Sequence, residues 1–123
     1  MSVITDVVVI TCPGEDDAIA AVNARMVTEA PDDFPERYHL RKVSDEGRYG
    51  GSKVPSTEVW GGCFNYLPFA EFMEALAAAP WKLPSVIVAY IWHEADDDIR
   101  TWRPGSGYMN SPPPVPGTDE EPS

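Results

Sequence analysis

Within this 123-residue chain, the residues best placed to do chemistry together lie between Ile91 and Arg100, in IWHEADDDIR. His93, Glu94, Asp96, Asp97 and Asp98 fall within six residues, a composition suited to a divalent metal or to acid–base work. Their spacing argues against both. If His93 and Glu94 continue a strand, their side chains point to opposite faces and cannot share one ion. A helical HExxH arrangement would need a second histidine, which is missing here. The aspartates lack the alternate spacing and central glycine of a calcium loop. A strand, an Asp-rich turn bonding its own backbone and a second strand account for the whole stretch. The backbone after Trp92 is expected to reverse, leaving His93 and the acids on divergent sides.

Other candidates are sparser. Cys12 ends an apolar run just before a helix start, where a thiol can be acidified, but Glu15, Asp16 and Asp17 oppose that. Cys63 lies between Gly62 and Phe64, and buried structural thiols are expected at both positions. His39 and His93, the only histidines, sit in no nucleophile-like signature. Gly47–Lys53, GRYGGSK, has a phosphate loop's residue types, but its lysine follows its serine and a strand pattern follows, so the match fails. His93, Glu94 and His39, with Tyr90, are the available catalytic candidates, and no nucleophile–base–orienter set assembles from them. Neither a metal nor a cofactor is implied.

The elements that must position these residues follow from periodicity. Val3–Thr11 is β-branched and reads as a central strand. Asp16 or Asp17 caps a helix running to about Glu29, with Ile19, Val22 and Met26 inward. Arg37–Val43 alternates as an exposed edge strand, and a long connection follows. Thr57–Tyr66 is another strand, with Trp60, Phe64 and Tyr66 on one side of a regular pleat and a bulge expected at Gly61–Gly62. Pro68 opens a second helix with Phe69, Phe72, Met73 and Leu76 as its apolar stripe, and Pro80 stops it. Ser85–Trp92 is apolar on both faces, which marks an interior strand, and IRTWR supplies a last short one.

This order of elements over residues 3–103 resembles the ferredoxin-like βαββαβ arrangement with an extra C-terminal strand. The resemblance implies an α+β two-layer sandwich with both helices on one face of an antiparallel sheet. Residues 1–103 form the single domain. Residues 104–123, with six prolines and the acidic TDEE, form an extended or disordered tail.

Charge and composition narrow the function. A formal charge of −11 disfavours nucleic acid and anionic membranes. The charge is segregated, since Arg37–Lys53 carries five basic residues against two acidic ones. No apolar run is long enough to span a bilayer, and the N-terminus lacks a basic leader, so a cytoplasmic protein is expected. Ser85–Trp92 has no polar side, so the sheet face without helices should expose apolar surface. Core packing accounts for most of the strand aromatics, and the remainder mark an interaction surface. The expected binding residues are Trp60, Tyr90, Trp92 and Trp102, with Arg41, Arg48 and Lys53 as the basic contribution. A small acidic module that binds a protein partner or itself is the leading functional class: an inhibitor, an immunity-type or a phage-encoded host-modulating protein, with a nucleic-acid mimic as a sharper variant. A dimeric ligand-binding or catalytic domain, and a structural or assembly subunit, are the alternatives.

Overall fold

The computed structural model describes residues 3–43, 51, 56–94, 98–105 and 107–109. Its elements are β1 (Ile4–Thr11), α1 (Asp16–Val27), β2 (Arg41–Lys42), β3 (Glu58–Asn65), α2 (Phe69–Ala78), a 3-10 turn at Pro84–Val86, β4 (Val88–His93), β5 (Arg100–Arg103) and β6 (Gly107–Met109). The strands form one sheet in the order β2-β3-β1-β4-β5-β6, and every neighbouring pair is antiparallel. The first four strands with both helices have the ferredoxin-like layout, and β5 is the extra strand. β6 is drawn from residues assigned by sequence to the extended tail, and it pairs with β5.

One sheet face carries the helices. On β1, Thr5, Val7, Val9 and Thr11 are buried, and the intervening Ile4, Asp6, Val8 and Ile10 point the other way. From α1 come Ala18, Ile19, Val22 and Met26, and from α2 Phe72, Ala75 and Leu76. These close a core with Phe64, Ile87, Ala89 and Ile91. Burial of this apolar surface holds the two layers together. Arg25 and Glu74 pair at 2.6 Å between the helices, a surface contact worth about 0–1 kcal/mol.

Several expectations require correction. The β1–β3 ladder runs unbroken from Ile4↔Asn65 to Thr11↔Glu58, so there is no bulge at Gly61–Gly62. Gly62 instead makes room for a neighbour on its own face. A Cβ there would lie 2.2 Å from Cζ of Phe64, whose ring covers the glycine and packs edge-on to Tyr38 and tilted to Phe72. The pleat ends at Tyr66, which adopts φ 58° and is held by Tyr66 N–H donating to Val3 O.

The edge strand shrinks from the expected Arg37–Val43 to Arg41–Lys42. Before it the chain turns repeatedly, with Phe34, Arg37 and His39 N–H donating to Pro31, Phe34 and Glu36 O. Asn23 on α1 then takes both backbone groups of Leu40, accepting its N–H at 2.8 Å and donating to its O at 3.1 Å. Those groups are lost to a ladder, and Tyr38 and Leu40 enter the core.

The start of α1 also differs. Neither Asp16 nor Asp17 caps it; Glu15 holds the N-cap position and makes no side-chain cap bond. The Glu15 carboxylate is 1% exposed and accepts the N–H groups of Lys82 and Leu83 at 2.8 and 2.9 Å. It thereby fixes the connector between α2 and β4.

Candidate functional site

His93 ends β4 on the helix side of the sheet, paired in register with Thr5. Its Nδ1 shares a 2.7 Å hydrogen bond with Thr5 Oγ1, and its ring lies 6.2 Å from that of Phe69. Arg100 sits 5.8 Å over the same Phe69 ring. Phe69, His93 and Arg100 line a cavity of about 180 Å3, well below the roughly 300–1,000 Å3 of small-molecule sites. Among the described residues its lining holds no carboxylate.

Glu94 is occupied elsewhere. Its carboxylate accepts the Ile4 N–H while its own N–H donates to Ile4 O at 2.9 Å. Chain reversal is plain from the antiparallel pairing of β4 with β5; Asp96 and Asp97 lie outside the described residues. Tyr90 faces away from the helices and His93 toward them, since alternate positions of a strand oppose. His39 lies before β2, and its Nε2 is buried without a hydrogen-bond partner among the described residues. The catalytic candidates are therefore dispersed. Among the described residues no group of three His, Cys, Asp or Glu side chains could hold a metal ion, and no helix is long and apolar enough to cross a membrane.

Cys12 is half-buried and Cys63 is exposed, which corrects the expectation of two buried thiols. Cys63 pairs across the ladder with Asp6. Its thiol donates to the Asp6 carboxylate, and this bond, with desolvation and the carboxylate's charge, raises the thiol pKa. A thiol held protonated is a poor nucleophile.

What remains is the sheet face that bears no helix among the described residues. Register lays it out in rows. One row runs straight across the sheet as Arg41, Gly61, Val8, Tyr90, Thr101 and Met109, each paired with the next. Beside it stand Cys63, Asp6 and Trp92, and on the other flank Val59, Ile10 and Val88. Tyr90 is 40% and Trp92 48% exposed, and Val8 and Val43 are also exposed. A mostly apolar face with one aromatic pair results, with Arg41 at its β2 edge and Asp6 near its middle.

Trp60 and Trp102 do not belong to this surface. They point toward the helices, at 9% and 3% exposure, and Trp60 Nε1 donates to buried Thr11 Oγ1 at 3.3 Å. Both are core residues and cannot touch a partner. Arg41 lies on the open face but already pairs with Glu36 at 2.8 Å. Arg48 and Lys53 lie outside the described residues. Sequence reasoning missed Val8 and Asp6, because only the strand register reveals that they adjoin Tyr90, Trp92 and Cys63. Comparison with protein-family models, with curated proteins and with solved structures found no match to this chain.

Proposed function

We propose that this chain is a small acidic cytoplasmic interaction protein that binds a protein partner through the open face of its sheet, as an inhibitor, immunity-type or host-modulating module does. The observation that carries the reading is the exposure of Tyr90 and Trp92 side by side on a regular strand. A hydrophobic pair of this kind is costly to leave in water and typical of an interface centre. Burying the exposed part of both rings removes roughly 180 Å2 from water, worth about 4.5 kcal/mol before the cost of association. The charge of −11 favours a partner whose apolar centre is flanked by basic residues, and it disfavours direct nucleic-acid binding.

The cavity beside His93 supports the alternative of a ligand-binding domain less well, because its volume of about 180 Å3 admits only a very small ligand. The test is the double variant Tyr90→Thr/Trp92→Thr, which keeps strand propensity and removes both rings. Partner recovered from the cell that makes the protein should fall by more than about tenfold, the equivalent of 1.4 kcal/mol. Unchanged recovery of the same partner by a folded double variant would overturn the reading.

A further inference from the structure

The cavity beside His93 lies on the helix side of the sheet and takes no part in the open face. Side chains from three elements line it: Phe69 at the start of α2, His93 at the end of β4 and Arg100 at the start of β5. All three are half-buried. Arg100 pairs in register with Ile91, which is buried against the helices, so both Arg100 and His93 project to that side. We propose that this cavity binds a small free monocarboxylate, its carboxylate on Arg100 and His93 and its short apolar tail against the Phe69 ring. The proposal does not depend on the reading of the open face.

The donors are arranged for an acceptor. Thr5 is fully buried, and its hydroxyl has one partner among the described residues, His93 Nδ1 at 2.7 Å. A hydroxyl that donates to Nδ1 leaves the neutral ring with its proton on Nε2. Among the described residues nothing accepts that N–H. Arg100 is steadied over Phe69, with Cζ 5.8 Å from the ring centroid. Its planar fork of N–H donors matches the paired oxygens of a carboxylate. The fork serves more than one acceptor at a time, so the site does not require Arg100 to lack other partners. None of the lining residues is acidic, and the neighbouring Glu94 carboxylate is turned to the Ile4 N–H.

Size and charge select the class of ligand. At roughly 30 Å3 per water in the liquid, a cavity of about 180 Å3 is the share of about six waters. A ligand of about six non-hydrogen atoms fits that space, and butyrate has this size. The Phe69 and His93 rings, 6.2 Å apart, give an alkyl tail a wall that a fully hydrated ion leaves unused. One guanidinium balances one negative charge, whereas a dianion would bring surplus charge to a chain already at −11.

Titration of the full chain with butyrate, butyramide and inorganic phosphate, followed by heteronuclear NMR, tests the site. Butyrate should shift the amide signals of Thr5, Phe69, His93 and Arg100 saturably, together with the His93 Nε2 resonance, and leave Ala24 on α1 in place. Butyramide, equal in size but uncharged, and phosphate should each bind more weakly by about tenfold or more. Arg100→Gln should weaken butyrate by about tenfold and leave butyramide unchanged. The absence of saturable shifts in the parent chain would overturn the proposal. So would butyramide or phosphate binding as tightly as butyrate, or a butyrate affinity indifferent to Arg100→Gln. The comparison of the three ligands is made on the parent, so it decides the matter even should Arg100→Gln fail to fold.

Discussion

Replacing Glu15 with glutamine changes almost no volume and tests whether one buried carboxylate organises the route into β4. Glu15 is 1% exposed, and each of its oxygens accepts one backbone N–H, from Lys82 and Leu83. An amide can offer only one acceptor oxygen, so one of those N–H groups would face a donor. Leaving a buried N–H unsatisfied costs about 1–3 kcal/mol. For a domain of this size, 1 kcal/mol moves the thermal midpoint by roughly 4–8 °C, so Glu15→Gln should lower it by about 8–16 °C at a mid-range loss of 2 kcal/mol. Glu15→Ala removes both acceptors and should cost more, about 3–5 kcal/mol. Thermal unfolding followed by circular dichroism reads these shifts, with exposed Asp17→Asn as a control expected within about 0.5 kcal/mol of the parent. A Glu15→Gln midpoint matching that of Asp17→Asn would refute the carboxylate's structural role. So would Glu15→Ala melting no lower than Glu15→Gln.

Three further outcomes are expected. Leu76→Ala empties a fully buried site between α2 and the sheet and should cost about 2–5 kcal/mol in a denaturant titration. Gly62→Ala forces the Phe64 ring out of its place against Tyr38 and Phe72, a loss of about 1–3 kcal/mol by the same assay. At mildly alkaline pH, Cys63 should alkylate more slowly than a free thiol, because its raised pKa keeps it protonated; Asp6→Ala removes the responsible acceptor and charge and should speed the reaction, as mass spectrometry of the modified peptide would show.

Strand and helix order was legible because each long element carries an unambiguous period. Val7 and Val9 alternate on β1, and Ile19, Val22 and Met26 recur at helical spacing on α1. What the sequence concealed depends on contacts between distant segments. Asn23 takes the backbone of Leu40 and so truncates β2, and no local pattern announces that. Glu15 looks like one more acid in an acidic turn, yet its partners lie 67 and 68 residues away. Gly61–Gly62 carries the signature of a bulge, but the glycine serves a ring two residues later.

The open face shows the same division. The all-apolar Ser85–Trp92 run already implied exposed hydrophobic surface, and Tyr90 and Trp92 are indeed half exposed. Trp60 and Trp102 have the same composition signal but the opposite facing, which only register decides. His93 and Glu94 could be separated in advance because adjacent strand residues diverge.

Site-specific photo-crosslinking in the cell that makes the protein bears most directly on the open face as the working surface. A photoreactive phenylalanine at position 90 should give a discrete adduct with one protein partner, whereas the same probe at exposed Ala24 on α1 should not. Identical adducts from both positions, or none from position 90 while the probe at Ala24 captures a protein, would contradict the account.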